Sequence, residues 1–101
     1  MREKQKDNLH PGAILREELI DKNNLTLHQA RKLLDISYTQ LLYVINGRCD
    51  ITPIMCLRLE AVFGEDPEKW AVMQAKYSVK MAAEEAAGDG KALNLKPYKP
   101  E

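Results

Sequence analysis

Helix punctuation constrains this chain more than any other feature. Thr26-x-x-Gln29, Ser37-x-x-Gln40, Thr52-Pro53 and Asp66-Pro67-Glu68 read as helix starts, and Asn23-Asn24, Asp35, Asn46-Gly47 and Gly64 fall where helices stop. A side-chain oxygen before the first turn accepts a backbone N–H that has no partner inside the helix. A Gln three residues later can return the bond. Proline is preset for the first helical position, and Gly or Asn tolerates the left-handed conformation that ends a helix. Up to Gly64, starts and stops alternate so closely that only short helices fit between them. The chain is therefore expected to be all-α, a bundle of five helices.

The apolar residues between these signals recur at helical spacing. A first helix is predicted over about 11–22, led in by His10-Pro11-Gly12, with Ile14, Leu15, Leu19 and Ile20 inward. The second, opened by a Thr26/Gln29 capping box, turns Leu27, Ala30, Leu33 and Leu34 inward and ends near Leu34. The third begins at Ser37, with Gln40 completing another capping box. It buries Leu41, Val44 and Ile45, and stops at Asn46-Gly47, where both residues suit a left-handed backbone. The fourth follows Thr52 and is filled by Ile54, Leu57, Leu59, Ala61, Val62 and Phe63. The last runs from Pro67 to about Ala87 with a stripe at Trp70, Met73, Tyr77 and Met81. It extends beyond what a four-helix core needs, so part of that stripe is expected to meet a second subunit, as in a homodimer.

Residues 1–9 are charged and expected to form a flexible N-terminus, residues 10–87 a single domain, and residues 88–101 a flexible tail. Leu93, Leu95 and Tyr98 alternate within that tail, so a short extended arm is the other reading.

Composition removes several classes of function. No apolar run is long enough to span a membrane, and the charged start, Met-Arg-Glu-Lys-Gln-Lys-Asp, has no apolar stretch behind it to act as a secretory signal. Cys49 and Cys56 do not make a disulfide framework, and reduced thiols in a cytoplasmic protein are expected. The cysteine spacing fits no zinc pattern, and His10 and His28 have no ligand spacing to either cysteine. Nothing resembles a Gly-rich phosphate loop or a nucleophile–base pair. No enzyme activity, metal or cofactor is implied.

What remains is a surface. Two short helices joined by a tight turn, the second capped by Ser, describe a helix-turn-helix. The second would leave Tyr38, Thr39, Gln40 and Tyr43 outside, with Arg48 just past its end. Thr39 and Gln40 sit where a recognition helix meets base edges, Gln most naturally an adenine. Tyr38 and Tyr43 suit a phosphate oxygen or a thymine methyl, and Arg48 and Lys32 suit the DNA backbone. An ordinary surface helix of a small bundle fits the same residues. With fifteen basic and fifteen acidic residues the net charge is zero, which counts against strong nonspecific DNA binding.

Several runs resemble HigA-type antitoxins, also known as VapI-like or plasmid-maintenance antidote proteins. They are His10-Pro11-Gly12-x-Ile14-Leu15-Arg16-Glu17-Glu18, then Ile45-Asn46-Gly47-Arg48 with Ile51-Thr52-Pro53-x-Met55-x-Leu57-Arg58-Leu59, then Phe63-Gly64 with Pro67-Glu68-x-Trp70-x-x-x-Gln74-Ala75-x-Tyr77. The resemblance covers residues 10–79. It implies a lambda-repressor-like domain that dimerises, binds the operator of its own operon, and neutralises a HigB-type mRNA-interferase toxin related to RelE. It places DNA contacts at Ser37, Tyr38, Thr39, Gln40, Tyr43 and Arg48. The chain departs from the family pattern at Leu27 (usually Gln), Arg31 (usually small), Asp35 (usually Gly) and Tyr38 (often Arg). Arg31 could reach a phosphate or splay the two helices. A toxin-binding module without operator binding, and a repressor without a toxin, are the rival readings.

Overall fold

A computed structural model describes residues 9–88, 93 and 95–100. Among these the chain is all-helical. Helix α1 (Pro11–Leu15) continues directly into a widened stretch (Arg16–Asp21) and is followed by α2 (Leu27–Leu34), α3 (Tyr38–Ile45), α4 (Pro53–Phe63) and α5 (Pro67–Gly88).

The caps act as their residue types dictate. Thr26 and Gln29 form a reciprocal capping box: Gln29 N–H donates to the Thr26 hydroxyl, and Thr26 N–H donates to Gln29 Oε1. Thr52 Oγ1 accepts from Met55 N–H, and Asp66 Oδ1 accepts from Glu68 N–H. Asp35 takes the left-handed conformation (φ 58°) at the end of α2, and Gly64 (φ 70°) ends α4. At α3 only half of the expected box is present: Ser37 Oγ accepts from Gln40 N–H at 2.9 Å, but no return bond from the Gln40 side chain accompanies it. The stop after α3 is likewise divided. Asn46 keeps φ at −93°, and Gly47 alone crosses to φ 74°.

The first helix is not a uniform α-helix. Past Arg16 the ladder widens: Lys22 N–H donates to the Glu17 carbonyl and Leu25 N–H to that of Ile20, each five residues back. In a regular α-helix a residue five positions on points about 140° away. Widening brings Leu19 and Ile20 back under Ile14 and Leu15, and all four are at most 6% exposed.

The core gathers Leu15, Ile20, Ala30, Leu34, Leu41, Val44, Leu59 and Trp70, each nearly or wholly shut off from solvent. The Trp70 indole N–H is satisfied by Glu65 Oε1 at 2.7 Å, as a buried indole requires. Some expected inner positions lie outside. Leu33, Ile54 and Leu57 are half-exposed or more, and Met55 and Cys56 take the inner places on α4 instead. Apolar residues occur on more than one face of α4, so spacing alone could not select the buried one.

Gln74, one turn after Trp70, ties α5 to the loop before α4. Its Oε1 accepts from Ile51 N–H at 2.8 Å, and its Nε2 donates to Asp50 Oδ1 and Ser78 Oγ. A buried amide is tolerated because these bonds satisfy it. Leu93, Leu95 and Tyr98 are exposed and outside any helix or strand. The expectation of a flexible N-terminus falls on residues outside those described, except Leu9, and so does much of the expected tail. No helix among the described residues is long and apolar enough to cross a membrane.

Candidate nucleic-acid interface

α2, its turn and α3 form a helix-turn-helix. The turn is closed locally and then held from a distance. Asp35 N–H donates to the Lys32 carbonyl at 3.2 Å, and Ile36 N–H to that of Arg31 at 3.1 Å. Ile36 follows at 7% exposure and pins the connection to the core. From α4, Arg58 Nη1 donates to the Leu34 carbonyl at 2.8 Å and to the Asp35 carbonyl at 3.3 Å. These are the carbonyls that a helix end leaves without partners. A charged donor bonds them more strongly than a neutral one.

The far end of α3 is fixed by contact with α1. A Cβ on Gly12 would fall 1.8 Å from the Val44 carbonyl oxygen, so the two backbones meet where only hydrogen fits. His10 closes the same corner. Its Nδ1 accepts from Gly12 N–H at 2.9 Å, its ring stands edge-on to Tyr77 with centroids 5.0 Å apart, and it lies beneath Gly47. Burial pushes the His10 pKa below its ordinary value, with the carboxylate of Asp50 pulling the other way.

Held at both ends, α3 turns Leu41, Val44 and Ile45 into the core and presents Tyr38, Thr39, Gln40 and Tyr43 to solvent. The exposed side chains of its first turn flank backbone N–H groups that give a helix N-terminus its affinity for anions. Arg48 is exposed just beyond the helix, its backbone N–H donating to the Tyr43 carbonyl at 2.8 Å. The structure thus gathers Ser37, Tyr38, Thr39 and Gln40 on one turn, sets Tyr43 one turn on and Arg48 past the end. Lys32 is exposed on α2, beside a shallow depression shared with Leu25, Gln29 and Leu33.

Of the departures noted above, Asp35 adopts the left-handed conformation that Gly would take. Ala30 is fully buried in α2, while Arg31 is half-buried and its Nε has no hydrogen-bond partner. Along α5, Trp70 is consumed by the chain's own core, Met73 and Tyr77 are half-buried, and Met81 is 42% exposed.

Spacing missed two residues that shape this surface. Arg58 clamps the turn across 24 positions of chain; a lone cation in an apolar helix was the signal available. His28, set aside above as a metal ligand, stacks on Tyr38 with ring centroids 4.4 Å apart. Among the described residues, no group of three or more His, Cys, Asp or Glu side chains is placed to hold a metal ion.

No protein-family model matches the chain. Among curated proteins, virulence-associated protein I of Dichelobacter nodosus is 36% identical over 87 residues, covering 86% of this chain and 77% of that protein. Among solved structures, an addiction-module antidote protein of the HigA family from Coxiella burnetii is 34% identical. It superposes with a TM-score of 0.78, covering 90% of this chain and 98% of that one. The Pseudomonas aeruginosa antitoxin HigA, solved with the higBA promoter, shares the fold at a TM-score of 0.80 and 24% identity, over 91% of this chain and 99% of that one.

Proposed function

This chain belongs to the HigA family of antitoxins, and on that premise we propose that it binds the operator of its own operon as a homodimer, represses transcription there, and neutralises a HigB-type mRNA-interferase toxin by direct contact. One observation carries the DNA-binding part. The first turn of α3 exposes Tyr38, Thr39 and Gln40 while contacts from Arg58, Ile36 and Gly12 brace the motif behind it. Base readout needs such a helix, since side chains that miss the groove edge by an ångström lose their bonds.

Gln40 reads a base edge and Thr39 lies beside it, Tyr38 and Tyr43 flank them, and Arg48 and Lys32 engage phosphates. Met73, Tyr77 and Met81 on α5 supply the surface for the second copy. The role is recognition rather than catalysis, and it needs no cofactor.

The test is a fluorescence-anisotropy titration on DNA from just upstream of the operon, against scrambled DNA, at two salt concentrations. Tight, salt-sensitive binding that prefers the upstream sequence is expected, with Gln40→Ala weakening it selectively at one base pair. Equal affinity for both DNAs by a folded protein overturns the operator reading and leaves toxin binding as the function. In that case Arg31, a half-buried residue whose buried Nε has no partner, is the first to replace by Ala.

A further inference from the structure

His28 and Tyr38 are joined across the two helices of the motif. His28 lies in the first turn of α2 and Tyr38 opens α3. Their rings lie face to face, 4.4 Å between centroids and 16° between planes, and both residues are on the surface. The pair therefore bridges the N-terminal turns of the two helices on the side that carries Thr39 and Gln40.

An exposed tyrosine at the start of a helix is ordinarily free to change rotamer. A flat partner against one ring face removes that freedom, while Tyr38 keeps 36% of its surface exposed. Ordering a side chain before binding spares that cost when the complex forms. The apolar feature of a major-groove edge that such a surface fits is the C5-methyl of thymine.

Building on the operator reading above, we infer that His28 is a positioning residue, which holds the Tyr38 ring so that its exposed surface meets a thymine methyl in the major groove. Tyr38 then reads a base, and His28 acts only through it.

The experiment replaces thymidine by deoxyuridine, one position at a time, across the upstream DNA, and compares wild type with His28→Ala and His28→Phe. Deoxyuridine lacks only the methyl group. Wild type is expected to lose affinity at one position in each half-site. His28→Ala should bind the native DNA about two- to tenfold more weakly, the range of an aromatic pair, and should no longer distinguish thymidine from deoxyuridine there. His28→Phe keeps the stack and should restore the distinction.

Three results overturn the inference while leaving operator binding intact. In the first, His28→Ala still distinguishes the two bases. In the second, His28→Ala melts at a lower temperature with unchanged base preference, which marks a purely structural contact. In the third, both variants lose affinity equally on all DNA with a shallower salt dependence, which marks direct phosphate contact by His28. Absence of any sequence preference in the wild-type protein would instead overturn the operator reading itself.

Discussion

Gly12 lies so close to Val44 that a Cβ on it would stand 1.8 Å from the Val44 carbonyl oxygen and 2.7 Å from the carbonyl carbon. The obstacle is backbone, which cannot swing aside as a side-chain tip can. The contact joins the start of α1 to the last turn of α3, so it sets the angle at which α3 is presented. Gly12→Ala is expected to destabilise the fold by about 1–3 kcal/mol, the usual cost of overpacking, read as a lower urea midpoint at unchanged slope. A variant as stable as wild type would mean that α1 and α3 can slide apart freely.

Arg58 acts at the other end of the motif. It bonds the Leu34 and Asp35 carbonyls through one nitrogen, Nη1. Arg58→Ala leaves those carbonyls without a charged donor and should cost about 1.5–3 kcal/mol. Arg58→Lys should recover only part of this, because a flexible ammonium is less well preorganised than a planar guanidinium. Thermal melts of both variants check the order. If Lys and Ala lose equally little, the turn is held by Ile36 and the local bonds alone.

His10 makes stability depend on pH. Its folded-state pKa is lowered from 6.5, chiefly by burial and against the pull of Asp50. The neutral ring also accepts Gly12 N–H through Nδ1, a bond that protonation at this nitrogen removes. The unfolded chain therefore takes up the proton first. Stability is fully present above pH 6.5 and declines as pH falls through the lowered folded value. His10→Asn can still cap the helix through its side-chain oxygen but does not titrate. It should flatten the decline between pH 6.5 and the onset of carboxylate titration. Identical pH slopes for the two proteins in urea titrations would remove His10 as the cause.

What the sequence made legible was local chemistry. Thr26, Ser37, Thr52 and Gly64 each act within a few residues, and the helix boundaries follow from them. The exposed set on α3 followed as well, because Leu41, Val44 and Ile45 fix which face is buried. What stayed hidden crosses between elements: Arg58 on the α2 carbonyls, Gln74 on Ile51, His28 on Tyr38, Gly12 on Val44. Periodicity also failed where it had more than one solution. Leu33, Ile54 and Leu57 belong to apolar runs that could be rotated either way, and the widened turns after Arg16 have no signature in spacing measured against a regular helix.

Arg48 and Gln40 separate positioning from reading within the proposed interface. Arg48 follows the left-handed Gly47, and its backbone N–H is fixed to the Tyr43 carbonyl, so its side chain departs from a defined point beyond α3. In the proposed complex a cation there would meet the phosphate backbone rather than a base edge. Arg48→Ala should therefore weaken binding by a similar factor on operator and scrambled DNA, and lower the salt slope by about one. Gln40→Ala should leave the slope alone and cost about 1–3 kcal/mol on the operator only. Titrations of both variants at several salt concentrations, on both DNAs, check the division. A loss confined to the operator for Arg48→Ala would move Arg48 into the groove and require a base contact for it. An unchanged slope for every variant at Arg48 and Lys32 would mean that the phosphates are held by other residues, with the backbone N–H groups at the start of α3 the first place to look.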